Sequence, residues 1–321
     1  MTASCHAADA RSLSPVALHV LPAEEDLPVD VYWRPDDRRT VLLLAQGRRL
    51  RAEDIDRMRR RGIEAVHMAA EEAARLRERF LERVLGDETR PPAARFALLR
   101  DTMREAFHEA FHHGAVEQVV PATCEYAAGL AAVVGRCGGG FADLAGAMAA
   151  DASNFTHATN VATYSLLLAA DLGMGGPRER AAIAQGALLH DVGKPLLRRA
   201  KRHGGGPRGR ADREVVREHP TRGFEALCRR ADVPSDSLMI VYQHHERYDG
   251  CGYPVGLVGN EIHPWARIGA IADVFDVLRR HRLRRAAACA GRVPAYFARE
   301  AGRRFDKELV QCWTTVVTQR R

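Results

Sequence analysis

Along residues 16–68, apolar and polar positions alternate with the period of a half-buried strand. Val16 to Leu21, Asp30 to Trp33 and Thr40 to Ala45 predict three strands, the last flanked by the turn signals Pro35-Asp36-Asp37 and Gln46-Gly47. From Ala52 to Arg61 the period changes. Ile55 and Met58 stand three apart, which puts both on one helical face, and Gly62 ends the helix before Ile63 to Met68 returns to strand alternation. This is a small α+β module over residues 1–85. From Ala69 onward strand signals nearly vanish, and Ala, Leu, Arg and Glu at helical spacing run to the carboxyl end. The expected fold class is mainly α: a helical domain over 93–321 behind the α+β module. Gly86 to Pro92 reads as a linker and Gly204 to Arg210 as a flexible loop within the helical part. No internal repeat is visible.

Composition narrows the classes. The chain has 321 residues, 46% hydrophobic and 28% charged, a globular balance with length for one large or two smaller domains. The longest apolar runs, Thr40 to Ala45 and Ser165 to Ala170, fall far short of the roughly 20 residues a membrane-spanning helix needs. Met1 to Ser14 carries Asp9 and Arg11 and lacks the continuous apolar stretch of a secretory signal. The seven cysteines (Cys5, Cys124, Cys137, Cys228, Cys251, Cys289, Cys312) are scattered and never form a C-x-x-C pair, against both a disulfide framework and a zinc ribbon. A cytoplasmic location is therefore expected. Lys and Arg number 48 against 41 Asp and Glu, a balance of +7 that admits polyanionic partners. With no basic stripe interleaved with aromatics, neither nucleic acid nor membrane is expected as a partner.

The chemistry lies in histidines on or beside apolar faces of the helical part. His157 shares a stripe with Val161, Tyr164 and Leu168 and points inward. The stripe Ile183, Ala187 leads to His190 and Asp191, and Gly193-Lys194 is read as that helix's end. In Glu218-His219-Pro220 the proline at a first helical position sets His219 at a helix N-terminus, where the dipole disfavours imidazolium. His244 and His245 follow Val241, with Asp249 to Pro254 as a sharp turn beyond. Asp273 follows Gly269 and Ala270, whose small side chains leave room for an ion. For any one of these histidines a satisfied core position is the commoner explanation. Five histidines and two aspartates facing inward would instead leave many buried polar groups unpaired, at a few kcal/mol each, roughly, unless something held them. Imidazole with carboxylate suits Fe, Mn, Zn or Ni, and seven ligands exceed the needs of one ion, so two metals are implied. Such pairs serve in-line phosphoryl displacement.

At this point the sequence resembles the HD-GYP phosphodiesterases of the wider HD phosphohydrolase superfamily, over about residues 120–310, the core of the helical domain. The carrying segments are His157 in H-A-T-N-V-A, H-D-V-G-K from His190 to Lys194, H-P-T-R-G from His219 and H-H-E-R-Y-D-G-C-G-Y-P from His244 to Pro254. A-R-I-G-A-I-A-D-V-F-D from Ala266 to Asp276 and F-D-K-E-L-V from Phe305 complete them. The resemblance implies an all-helical domain that hydrolyses cyclic di-GMP to linear pGpG, with onward processing to GMP in some members. It implies two divalent ions, Fe or Mn first and Zn or Ni after them. The implied ligands are His157, His190, Asp191, His219, His244, His245 and Asp273, with Asp191 bridging. Lys194 matches the lysine that contacts the scissile phosphate, Arg282 and Arg285 match a phosphate-gripping pair, and Tyr253 is expected either to shape the guanine or phosphate pocket or to pack in the turn under Pro254. On one straight helix Arg282 is half a revolution out of phase with Asp273, so a break near Arg279 to His281 is expected. Ser153 stands where members with a third metal carry glutamate, and Leu283-Arg284 replaces a frequent Pro-Tyr. A GGDEF-domain protein is an implied partner through the G-Y-P loop. The amino-terminal module also resembles, loosely, small domains found ahead of some HD-GYP domains, and a regulatory or dimerising role, with a homodimer, is its expected use.

Competing readings exist. One is a non-catalytic cyclic di-GMP receptor, another an HD phosphohydrolase acting on a different nucleotide. His108-Glu109-Ala110-Phe111-His112 matches the zincin pattern H-E-x-x-H, but the pattern fixes only three residues in a chain with 14 histidines. Glu117 or Glu125 would be a loose third ligand, and a solvated amphipathic helix explains the segment better.

Overall fold

In the computed structural model the described residues are 13–36, 39–113, 116–136, 141–148, 153–200, 216–283 and 292–318. They divide into two compact units, one of residues 1–88 with 98–109, the other of 89–97 with 110–321. Residues 98–109, assigned from sequence to the helical domain, thus group with the amino-terminal unit. The expected loop at Gly204 to Arg210 lies outside the described residues.

In the first unit, strands β1 (Leu13–Ala17), β3 (Val31–Asp36), β4 (Arg39–Leu44) and β6 (Ala65–Ala69) form an antiparallel sheet in the order β1-β6-β3-β4. Strands β2 (Glu25–Asp26) and β5 (Arg49–Leu50) make a second, two-stranded ladder. The first expected strand is half right. Pairing with β6 ends at Ala17, and Leu18–Val20 turns into a 3₁₀ helix that buries Leu18 and Val20. Helix α1 (Ala52–Arg60) turns Ile55 and Met58 into a core with Val16, Val31, Leu50, Val66 and Met68, as their spacing requires. Gly62 leaves the helix at φ +73°, a left-handed conformation natural to glycine. Helix α2 (Ala70–Gly86) follows, and its buried Arg77 donates from Nη1 to the Pro15 carbonyl at 3.0 Å.

Helix α3 (Pro92–His113) carries the H-E-x-x-H segment, whose side chains lie outside the described residues. To the second unit belong α4 (Val116–Gly135), α5 (Phe141–Ala145), α6 (Asn154–Asp171), α7 (Pro177–Leu189), α8 (Gly193–Ala200) and α9 (His219–Leu227). Helices α10 (Ser235–Gln243), α11 (Pro264–Leu283), α12 (Arg292–Glu300) and α13 (Lys307–Thr318) complete it. Helix α6 is its axis. Every residue from Phe155 to Ala169 is buried, because α4, α7, α11 and α13 pack around it. The single apolar stripe expected around His157 is therefore one side of a helix enclosed all round, which its Ala, Thr, Val and Leu content permits. Among the described residues no helix is long and apolar enough to cross a membrane.

Candidate metal centre

Five chain segments bring the histidines and acids together, and local sequence explains each placement. Ser153 caps α6, its hydroxyl accepting from the Thr156 backbone N–H at 3.1 Å, which sets His157 in the first turn. The position read as lacking the third-metal glutamate is thus spent on a helix cap. Helix α7 stops at Leu189 with His190 as its C-cap, and Gly193 opens α8, so H-D-V is a corner between two helices and Gly193-Lys194 a beginning where an end was expected. The corner needs glycine: a Cβ on Gly193 would run into the His219 carbonyl and the Gly223 backbone nitrogen. That contact draws α9, with His219 at its start and Pro220 in its first turn, against the corner. His244 caps the C-terminus of α10, and Asp273 lies within α11.

Asp191 sits between two groups. Its Oδ2 is 3.4 Å from His190 Nε2 and 3.8 Å from His157 Nε2, while its Oδ1 is 3.3 Å from His219 Nε2 and 4.0 Å from His244 Nε2. Asp273 Oδ1 lies 3.1 Å from His157 Nε2. His157, His190 and Asp191 can converge on one ion, and His219, His244 and His245 on another. His245 packs against both His219 and His244, with ring centroids 5.0 and 4.1 Å apart.

Four rings are held by Nδ1, leaving Nε2 turned to the centre. His190 Nδ1 reaches the Ala187 carbonyl at 2.7 Å, His219 Nδ1 that of Val216 at 2.6 Å, and His244 Nδ1 that of Val241 at 3.0 Å. His157 Nδ1 reaches Asp276 Oδ2 at 2.7 Å. Such bonds fix the tautomer with the lone pair on Nε2, the ligand form of imidazole. His190 Nε2 and Asp191 Oδ1 are buried with no hydrogen-bond partner, an arrangement that costs about 1–3 kcal/mol per group unless something else takes those lone pairs. Two divalent ions fit this donor set, and imidazole with carboxylate is the shell of Fe, Mn, Zn or Ni.

Protonation follows the same design. Burial alone would raise the Asp191 carboxyl, but His190, His219 and Lys194 outweigh it and hold it well below the usual carboxylate range. Asp273 is likewise lowered, burial being overcome by the bond and charge of His157. Burial and the neighbouring imidazoles push His244 far down, and burial takes His245 to about 3, so both are neutral at neutral pH. His157 is the exception: burial would lower it too, yet Asp273 and Asp276 raise it to about 9, so this ring offers Nε2 to an ion only by giving up a proton.

Around the centre, Lys194 Nζ lies 2.5 Å from Asp191 Oδ2. Tyr253 stacks on His245 at 4.7 Å and carries the Arg217 guanidinium 4.6 Å from its ring centroid. Its loop is held by Glu246, whose carboxylate accepts from the backbone N–H groups of Val255, Gly256 and Leu257 at 2.7, 3.1 and 3.2 Å. The expected break in α11 is not there: the helix runs unbroken from Pro264 to Leu283. Arg282 therefore stays half a turn from Asp273, since nine residues at 100° each make two and a half revolutions. The side chain of Arg282 and all of Arg285 lie outside the described residues. Two arginines earlier on the same helix are engaged within the protein. Arg279 donates to the Tyr164 hydroxyl and the Ala145 carbonyl, and Arg280 pairs with Asp276 at 2.7 Å.

Sequence reasoning assigned no role to Asp276, Asn160, Glu246 or Arg217. Asp276 and Asn160 each stand three residues after a predicted ligand, on the same helical face, which was the available signal.

Comparisons with known proteins bear on the family of the chain. The chain is 37% identical over 145 residues to the cyclic di-GMP phosphodiesterase response regulator RpfG of Xanthomonas campestris pv. campestris, a match covering 45% of this chain and 38% of that protein. It is 32% identical over 156 residues to 3'3'-cGAMP-specific phosphodiesterase 2 of Vibrio cholerae, covering 48% of this chain and 30% of the relative. The matches thus span well under half the length of these relatives. A solved HDG"Y"P protein from Bdellovibrio bacteriovorus shares the fold, with a TM-score of 0.58 and 19% identity over 96% of this chain and 100% of that one. The HD domain family model matches residues 145–309, just over half the chain and the stretch that carries every predicted ligand, and the chain accordingly belongs to the HD domain family.

Proposed function

We propose that this chain is a metal-dependent phosphodiesterase that opens cyclic di-GMP to linear pGpG. One observation carries the reading: Asp191 presents one carboxylate oxygen to each of two histidine groups, with Asp191 Oδ1 and His190 Nε2 otherwise unpartnered. When bound, a pair of divalent ions supplies an activated water and neutralises charge on an in-line phosphoryl transfer. His157, His190, Asp191 and Asp273 would hold one ion, and His219, His244, His245 and Asp191 the other.

The remaining groups act on the substrate. Lys194, half-exposed beside Asp191, offers its ammonium to the scissile phosphate, where a preorganised charge counts most as negative charge develops. Tyr253, stacked on His245 at the rim, offers a face to a guanine. Arg282 and Arg285 remain proposed phosphate contacts by resemblance, with the helix phase weighing against Arg282. Ser153 as a cap favours two ions over three, and so pGpG over GMP as product. A GGDEF-domain partner, a homodimer and a cytoplasmic location belong to the same reading.

The 3'3'-cGAMP-specific relative supports a second substrate, a cyclic dinucleotide with one adenine. A product assay with Mn(II)- or Fe(II)-loaded protein on both dinucleotides tests the proposal. Faster opening of cyclic di-GMP to pGpG, with two ions per chain, supports it, and preference for cGAMP favours the second reading. Metal-free protein with no turnover of either sinks both and leaves a receptor. K194A should lose about 10²-fold in kcat.

A further inference from the structure

We propose that Asp276 is a positioning residue of the metal centre, holding the His157 ring so that Nε2 faces the ion shared with His190, Asp191 and Asp273. The proposal rests on the metal-centre reading above and assigns a role to a residue outside the ligand set.

Three of the oriented histidines are set by their own chain. His190, His219 and His244 each reach a carbonyl three residues back, so their ring positions follow from local helical geometry. His157 is different. Its orienting partner comes from a separate helix, α11, and is a carboxylate. Asp276 is fully buried, and a bare carboxylate there would cost several kcal/mol, on the order of what breaking a buried pair costs, unless every oxygen were engaged. Both are. Oδ2 accepts from His157 Nδ1–H at 2.7 Å and is ion-paired with Arg280 Nε at 2.7 Å, and Oδ1 accepts from Asn160 Nδ2 at 2.7 Å.

The arrangement forms a chain of constraint. Arg280, one turn beyond Asp276 on α11, balances the carboxylate charge. Asn160, one turn beyond His157 on α6, fixes the carboxylate's rotation. The carboxylate then fixes the imidazole. With both oxygens spent, Asp276 is not itself a ligand, although it stands only three residues after Asp273. Its hydrogen bond goes to the histidine on one side of Asp191, and the other group, His219, His244 and His245, is oriented by its own backbone and ring contacts.

That asymmetry makes the proposal testable within one molecule. Metal-free full-length protein is titrated with Mn(II) alone by calorimetry, with circular dichroism and the thermal midpoint of the metal-free form checking the fold. The expected result is two Mn(II) sites in the wild type. In D276N, which keeps the side-chain shape, one site should weaken by about 10–100-fold while the other is unchanged. D276A should lose at least as much at that same site, and R280Q, which keeps the carboxylate on His157, should lose less. If D276A fails to fold, the isosteric D276N carries the measurement. Equal weakening of both sites, or two unchanged sites in D276N, overturns the positioning role while leaving the metal centre standing. A wild-type chain that takes up no Mn(II) overturns the metal-centre reading and this proposal with it.

Discussion

Asp191 Oδ1 stands 3.3 Å from His219 Nε2, joining the corner between α7 and α8 to the start of α9. Its other oxygen faces His190 and His157. One carboxylate therefore lies between two imidazole groups, which also meet directly at His190 and His244, ring centroids 5.0 Å apart.

Removing that carboxylate should undo both halves. Asp191→Ala is expected to lose both ions per chain and all detectable turnover, with little change in helical content. Elemental analysis of the purified variant beside circular dichroism checks this. Two retained ions, or surviving hydrolysis, would mean that the bridge has been misplaced.

Gly193→Ala tests the packing that builds the corner. The added methyl meets backbone on α9 that cannot rotate away, so a loss of about 1–3 kcal/mol is expected. The two histidine groups should also move apart, lowering metal affinity at both. Denaturant melts and Mn(II) titration read the two effects, and a wild-type melt would contradict the close approach.

Glu246→Gln addresses the substrate loop without touching a ligand. An amide has one accepting oxygen where the carboxylate has two, so at least one of the three N–H groups of Val255, Gly256 and Leu257 loses its partner, at about 1–3 kcal/mol. The loop carrying Tyr253 should loosen. Steady-state kinetics are expected to show KM rising more than kcat falls, with metal content unchanged.

A pH effect is expected in the amino-terminal unit. Burial, assisted by the charge of Arg34, lowers His67 to about 4 from an ordinary 6.5. Between these values the unfolded chain binds more protons, so stability rises with pH across that window. The His67 contribution is fully present above about 6.5 and lost as pH falls through about 4. Thermal midpoints of wild type and H67Q at several values from pH 7 to pH 4 check the sign: the gap in favour of wild type should shrink on acidification. A gap that widens would contradict it.

Much of the fold is legible in the order of residues along the chain. Alternation located β3 and β6 within a few residues, and the Ile55–Met58 spacing located α1, because each pattern reports one buried face; β4 was located by its apolar run although Val41 and Leu42 are exposed and only Leu44 is buried. The pattern failed where burial was not one-sided. Helix α6 is enclosed, so its stripe had no solvent face to contrast with, and β1 turns into a 3₁₀ helix that still buries the apolar Leu18 and Val20. The arginines at the end of α11 show a related limit: charge in a sequence does not say whether a guanidinium meets water, a ligand or, as for Arg279 and Arg280, the Tyr164 hydroxyl and the Asp276 carboxylate.

Residue order alone marked the possible ligands: no single inward histidine argues for a metal, but five of them with two aspartates, in the order of one family, would leave too many buried polar groups unpaired. How they divide came only with the packing of the helices. The split of the Asp191 oxygens, the corner made by Gly193 and the hold of Asp276 on His157 depend on contacts between segments far apart in the chain, and no local period records which helix will stand opposite which.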